Sequence, residues 1–549
     1  MIRKVNLKPH CAKFMANGKF ELLAVRSSLS TALALALATP AFAQSDDEVL
    51  AKIMAAEINH SEVMDVAEYM DDVIGPRLTN SPGARKAEAW TQEKFSEWGL
   101  TNVHKEGFSF GRGWWIESSS VRMIAPRSVQ LTAIPLAWTP PTEGTVTASV
   151  VLAPMTSEAD FTKWRGKLEG KAVLVSVPVP AADQTTPSFT RRSHEEMTRR
   201  TEFTFPEKDP QARRIAYTNL DFWRKVDGFL ADEKAAALIV MSRRDGKLLH
   251  GEGYRYEKGD TPLMPHMELA QEDYLRLARL AGRAEKPVIE LNSNVHFDDT
   301  DMQAYNVIAD IAGRDAKAGY VMAGAHLDSW FAGDGAADNG AGNAVVMEAA
   351  RILKSIGVRP RRTIRFVLWA GEEQGLRGSL AYVQRHLAHR GGANGATPDV
   401  GIDHFFNWSK KWPIKPLPGY RDMKAYFNLD HGSGKIRGIY AERNPALVPI
   451  FKDWLEPFRS MRAANVFIND GGTGTDHYAM QSIGLPGFGF LQDQLDYSRV
   501  THTNADTFDH LKADDMRQSA MILAWMLWKA ANMKSDFPGE SELPVKLTD

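Results

Sequence analysis

The chain has 549 residues, room for two to four domains at roughly 150 residues each. Hydrophobic residues make up 44% and charged residues 24%, the mixture of a soluble globular protein with a sizeable core. Lys and Arg total 66 against 68 Asp and Glu, a net charge of -2, which gives no support to nucleic acid as a partner. The single cysteine, Cys11, excludes a disulfide scaffold and any Cys-rich zinc or iron–sulfur site.

The apolar run Thr31–Ala43 follows Lys8, Lys13, Lys19 and Arg26. It is shorter than the about 20 apolar residues a bilayer span needs, and it ends in Ala41-Phe42-Ala43, the small-x-small pattern of a cleavage site. The expectation is an export signal over residues 1–43, cut before Gln44. Its removal takes away six basic residues, Glu21 and Cys11, leaving a thiol-free chain of net charge -7 that avoids oxidative chemistry rather than using disulfides. No lipobox-like cysteine adjoins the apolar run and no later segment reads as a membrane span, so a soluble periplasmic or secreted protein is expected.

Residues 46–100 read as helical, with Gly83–Gly99 showing helical apolar spacing up to a glycine stop. From Val103 to Trp138 the pattern becomes β-like, and Pro140-Pro141 breaks it. Residues 44–139 are therefore expected to form the first part of the main domain, and 140–295 a separate α/β insert. Within the insert Thr145–Leu152, Gly170–Val177 and Ala235–Met241 are strand-like. Arg191-Arg192, Arg199-Arg200 and Arg213-Arg214 could form an anion or partner patch, but Glu195, Glu196 and Glu202 interleave, and a solvated helix face is the expectation.

From residue 296 to 549 strands alternate with helices. Tyr305–Ile311, Tyr320–Ala325, Thr363–Trp369 and Met423–Leu429 are strand-like, while Gly342–Ile356 and Asp514–Asn532 are helical. This predicts an α/β fold with a mixed, mostly parallel central sheet flanked by helices, whose ligands gather at the C-terminal ends of the strands.

Metal-competent residues fall at those ends. After Tyr320–Ala325 comes His326-Leu327-Asp328. Residues two apart in extended chain point the same way, so His326 is read as a ligand and Asp328 as the carboxylate that orients its ring. The glycine-rich stretch Gly333–Gly342 lacks the lysine of a phosphate loop, and Asp334 and Asp338 would repel anions. Asp338 is left as a helix cap or as a carboxylate bridging two cations. Glu372-Glu373 leaves Thr363–Trp369 between glycines, so that one acid can ligate while its neighbour stands at hydrogen-bond distance from water. Asp430 follows the strand at 423–429, and His502 with Asp506 precedes the last helix. Nitrogen and oxygen ligands without sulfur suit zinc, with cobalt or manganese as alternatives.

These motifs, in this order, resemble the co-catalytic zinc aminopeptidase family that also contains carboxypeptidase Q and glutamate carboxypeptidase. Gly75–Gly83, Phe110–Trp115 and Asp496–Thr507 are similar to its carboxypeptidase Q-like branch, and Trp164–Val175 to a protease-associated domain. The resemblance implies two zinc ions per chain, one held by His326 and Asp430, the other by Glu373 and His502, with Asp338 bridging them. It implies Glu372 as general base, Asp328 as the partner of His326, Tyr497 as an oxyanion donor, and a cis peptide at Asp338–Asn339. The branch often has paired histidines where Thr501-His502 stands here, and the four-residue spacing to Asp506 places the ligand at His502. Relatives are often homodimers. The implied activity is exopeptidase hydrolysis of dipeptides or short peptides; the alternatives are a glutaminyl cyclase-like acyl transferase with one zinc and a non-catalytic receptor-like domain. Asp476-His477 is read as shaping a substrate pocket rather than as ligating, His431 as structural, and His386, His389 and His404 as without function.

Overall fold

The computed structural model describes residues 44–182, 185–204, 212–283, 285–390, 414–471 and 474–539; the expected signal segment and His404 lie outside them, as do the side chains of Arg213 and Arg214. Two eight-stranded sheets organise these residues. The first runs, edge to edge, Thr101–Ser109, Gln303–Ile311, Thr363–Trp369, Tyr320–His326, Met423–Asn428, Gly487–Gln492, Ile436–Tyr440 and Asn465–Phe467. Its four central strands, from Thr363–Trp369 to Gly487–Gln492, are mutually parallel, and antiparallel pairs flank them on both sides.

Period-two alternation builds a layer on each face of this sheet. Val321, Ala323, Ala325, Ile364, Phe366 and Leu368 join the main core with the helices Ala341–Ser355 and Ala513–Asn532. Met322, Val367 and Trp369 face the other way, onto Leu380, Val383 and Met480. Strands covered on both faces are apolar throughout, which is why these runs read so plainly. Ile436–Tyr440 and Gly487–Gln492 carry no comparable signal. Gly487 lies where a Cβ would meet the His477 carbonyl oxygen at 2.5 Å, so close packing takes the place of a β-branched side chain.

The second sheet runs Val129–Leu131, Gly113–Ala125, Val288–Asp298, Val146–Leu152, Lys171–Leu174, Ala237–Met241, His266–Leu269 and Ala133–Pro135. The helix Gln271–Gly282 supplies Tyr274 and Leu277 to one face, and Ala212–Asp232 supplies Val226 and Leu230 to the other. Sheet membership changes near residue 112, upstream of Pro140-Pro141, because the strands at 113–135 pair with this sheet. Three of these arginines are engaged in ion pairs: Arg191 reaches Asp493 and Asp515 at 3.1 and 2.7 Å, and Arg192 and Arg200 share Glu196. Among the described residues no helix is long and apolar enough to cross a membrane.

Candidate metal centre

The parallel core strands end at one edge, and the acids and histidines collect there. His326 is the last residue of its strand, Glu372 and Glu373 follow Thr363–Trp369, and Asp430 lies two residues beyond Asn428. Asp338 sits in the turn before Ala341–Ser355, where the Asp338–Asn339 peptide is cis, and His502 follows the short helix Tyr497–Val500. Gly335, at φ 67°, lets this turn pass against Ser329, whose Cβ would lie 2.3 Å from an added side chain.

Three overlapping triplets result: His326, Asp338 and Asp430; Asp338, Glu373 and His502; His326, Glu372 and Glu373. In each, one candidate ligand atom per residue lies within 4.8 Å of the others. His326 Nε2 is 3.1 Å from Asp430 Oδ1 and 3.3 Å from Asp338 Oδ1. His502 Nε2 is 3.1 Å from both Asp338 Oδ2 and Glu373 Oε2. The two oxygens of Asp338 thus face two different imidazoles.

Neighbours fix these groups. The His326 Nδ1 partner is the backbone carbonyl of Asp328 at 2.9 Å, while the Asp328 carboxylate stands off at 3.8 Å. That carboxylate instead accepts the backbone N–H groups of Glu372 and Glu373, at 3.2 and 3.3 Å, and the Thr79 hydroxyl at 3.0 Å. Asp328 therefore ties the His326 strand end to the Glu372-Glu373 turn, a broader role than orienting one ring. Asp506 accepts the backbone N–H groups of Ala337 and Asp338, and Thr501 donates its hydroxyl to Asp338 Oδ2 at 2.5 Å. The Trp330 indole donates to Glu373 Oε2 at 2.9 Å. Arg77, wholly buried, donates to the carbonyls of Leu327, Asp334 and Gly335, cross-linking both ends of the loop between His326 and Asp338. His502 Nδ1 meets Glu252 Oε1, from the second-sheet half, at 2.7 Å.

Burial and like charge strain this cluster electrostatically. Burial, the charges of Asp430 and Glu373, and that of Asp476 push the Glu372 carboxyl well above its usual range, against the pull of His326. Burial and Asp338 push Glu373 up to about 7, with His502 opposing. Carboxylates crowded out of water in this way are stabilised by cations. The donor set fits divalent metal: it is nitrogen and oxygen only, and Glu373 Oε1 is buried with no hydrogen-bond partner.

Tyr497 is half-buried with its ring against Gly432; burial and the charges of Asp338 and Asp430 raise its hydroxyl pKa. Asp476 is wholly buried and pushed up to about 8 by burial and by the charges of Asp430 and Asp328, so it stands within electrostatic reach of the cluster. His386 pairs with Glu106 at 2.7 Å, and His389 lies on the short strand Ala388–Arg390. Sequence patterns singled out neither Glu252 nor Trp330, and the motif at 75–83 was noticed without a role for Arg77. A lone acid or indole far from the motif it serves carries no local signal.

Residues 306–526 match the profile of Peptidase family M28. Carboxypeptidase Q of Mus musculus is 26% identical over 475 residues, covering 85% of each chain. Among solved structures, a Peptidase M28 precursor from Shewanella amazonensis superposes with TM-score 0.63 at 24% identity, over 91% of this chain and 100% of that one. BSAP, a zinc aminopeptidase from Bacillus subtilis, gives 0.55 at 17%, over 86% and 95%.

Proposed function

From its Peptidase family M28 domain, which makes the chain a zinc metallopeptidase, we propose a two-metal exopeptidase acting on dipeptides or short peptides. The observation that carries this reading is the position of Asp338, one oxygen toward His326 and the other toward His502. His326 and Asp430 would hold one cation and Glu373 and His502 the other, with Asp338 available to both. The segment read as an export signal would send the enzyme to the periplasm or outside the cell, and the protease-associated-like insert read at residues 140–295 would include in its sheet the strands at 113–135 as well.

The bound cations supply Lewis acidity, polarising the scissile carbonyl and acidifying the attacking water. Glu372 accepts the proton of that water and delivers it to the leaving amine. Its place beside the ligand Glu373, in the turn that follows the strand Thr363–Trp369, suits a group that must take a proton and give it back. Asp328 holds the backbone N–H groups of Glu372 and Glu373, keeping the base and the adjacent ligand in fixed relation. Tyr497, a phenol protonated at neutral pH, would donate to the oxyanion of the tetrahedral intermediate. The substrate's free ammonium is drawn to the acidic cluster, which favours cleavage next to a chain end.

The test combines metal counting with a panel of free and N-blocked dipeptides and tripeptides. Two ions per chain and hydrolysis of the unblocked peptides are expected. One ion per chain with cyclisation of N-terminal glutamine would replace the hydrolase with an acyl transferase, and no turnover at full metal loading would leave a binding domain.

A further inference from the structure

The two imidazoles of the cluster are held in different ways. His326 is oriented from within its own sheet, by the Asp328 carbonyl. His502 turns its Nδ1 outward to Glu252 Oε1 at 2.7 Å. Glu252 lies beyond the strand Ala237–Met241, in the other sheet's half of the molecule. Arg243 grips the same carboxylate with two bonds, 2.7 Å to Oε1 and 2.8 Å to Oε2.

The run 243–252 also holds the backbone on which His502 sits. Arg244 donates to the carbonyls of Arg499 and Thr501 at 2.9 and 2.8 Å. Leu249 and Asn504 exchange two bonds, at 2.8 and 3.0 Å, and Arg499 pairs with Asp245 at 2.7 Å. His502 itself is at φ 58°, a left-handed conformation uncommon in residues with a Cβ, and the bonds from this run brace the backbone on both sides of it.

We propose that Glu252 is a positioning residue of the metal centre, fixing the tautomer and ring angle of His502 so that Nε2 is presented to Asp338 and Glu373. The second sheet thereby becomes part of the catalytic apparatus, with Arg243 as the clamp on Glu252. This rests on the two-metal reading above. Carboxylates that hold a ligating histidine by its far nitrogen typically contribute about 10–100-fold in metal affinity or activity. Here the effect should fall on one site only, because the His326 side has its own support.

The test uses full-length protein stripped and reloaded with Zn²⁺ or Co²⁺: wild type, Glu252→Gln, Glu252→Ala and Arg243→Met. Bound metal is followed by chelator competition, the Co²⁺ absorption spectrum at each equivalent, and kcat separately from KM. Glu252→Ala should weaken one of two sites by about 10–100-fold and change the spectrum of that equivalent alone, lowering kcat more than it raises KM. Glu252→Gln, which still accepts a hydrogen bond without the charge, should fall between it and wild type. Unchanged affinities and spectra in Glu252→Ala overturn the assignment. So does equal weakening of both sites with reduced resistance to urea, which marks a scaffold residue. A wild-type protein that binds fewer than two ions refutes the two-metal reading itself, and that result appears before any variant is compared.

Discussion

Arg77 offers the sharpest test of how the centre is built. Its guanidinium is wholly buried and makes four bonds of 3.1 Å or less, to the carbonyls of Leu327, Gly75, Asp334 and Gly335, at 2.9, 3.1, 2.8 and 2.7 Å. Asp71 Oδ1 lies 3.6 Å away. Replacing Arg77 with Met fills much of the volume but leaves four buried carbonyls without that donor. The Asp71 carboxyl, already pushed up to about 7 by burial even with Arg77 opposing, takes up a proton in the variant, so its charge is relieved. What remains is the loss of the carbonyl bonds, about 1–3 kcal/mol for each one left unmade, set against the desolvation cost of the guanidinium that the variant no longer bears. Four bonds at that cost, less a desolvation cost of several kcal/mol, leave a net loss of about 3–5 kcal/mol. The assay is urea unfolding of metal-free protein by tryptophan fluorescence, with Arg77→Lys expected to fall between the two, since an ammonium on a flexible stem satisfies fewer of the carbonyls. A metal-free Arg77→Met protein within about 1 kcal/mol of wild type would refute the cross-link argument, because a bond geometry this complete can be neutral only if water replaces it.

Glu372→Gln should keep both metals, since the ligand set is intact, and lower kcat/KM by about 10²–10⁴-fold; full turnover at unchanged metal content removes Glu372 from the mechanism. Dialysis against a chelator should abolish peptidase activity and lower the urea midpoint, with two equivalents of Zn²⁺ restoring both; recovery with one equivalent argues for a single-ion site. Glu57 is fully buried, and its carboxyl is pushed from 4.5 up to about 8 by burial and by the charge of Glu348. Between those values the folded chain holds a proton that the unfolded chain releases, so stability is fullest below about pH 4.5 and falls as pH rises toward 8. Glu57→Gln should remove about 2–4 kcal/mol of that decline by pH 8 and change little at pH 5; parallel urea midpoints for the two proteins across this range contradict the assignment.

The sequence made the candidate ligands legible because the central strands are apolar on both faces and a polar residue that has no place in a core stands at, or a few residues beyond, their ends. His326, Glu372-Glu373 and Asp430 stand out against Tyr320–His326, Thr363–Trp369 and Met423–Asn428 for that reason alone. The boundary of the second sheet was less visible: Gly113–Ala125 pairs with Val288–Asp298 across more than 160 residues, and Pro140-Pro141 is a break within that half rather than at its edge. The role of Asp328 was half legible. The spacing to His326 brings the two together, but whether the carbonyl or the carboxylate meets the ring depends on where the Glu372-Glu373 turn lies. Glu252 was illegible, since nothing around it resembles a ligand motif and its partner lies 250 residues away.

A carboxylate shared between two histidine-bearing clusters links their occupancies. In the proposed two-metal centre, charge that Asp338 lent to a cation beside His326 would be withdrawn from one beside His502, so the pair should fill and empty in succession rather than independently. Graded chelation would then trace a staircase with two treads, and the intermediate tread, a protein with one ion, is the species in which the partial competence of either half could be measured.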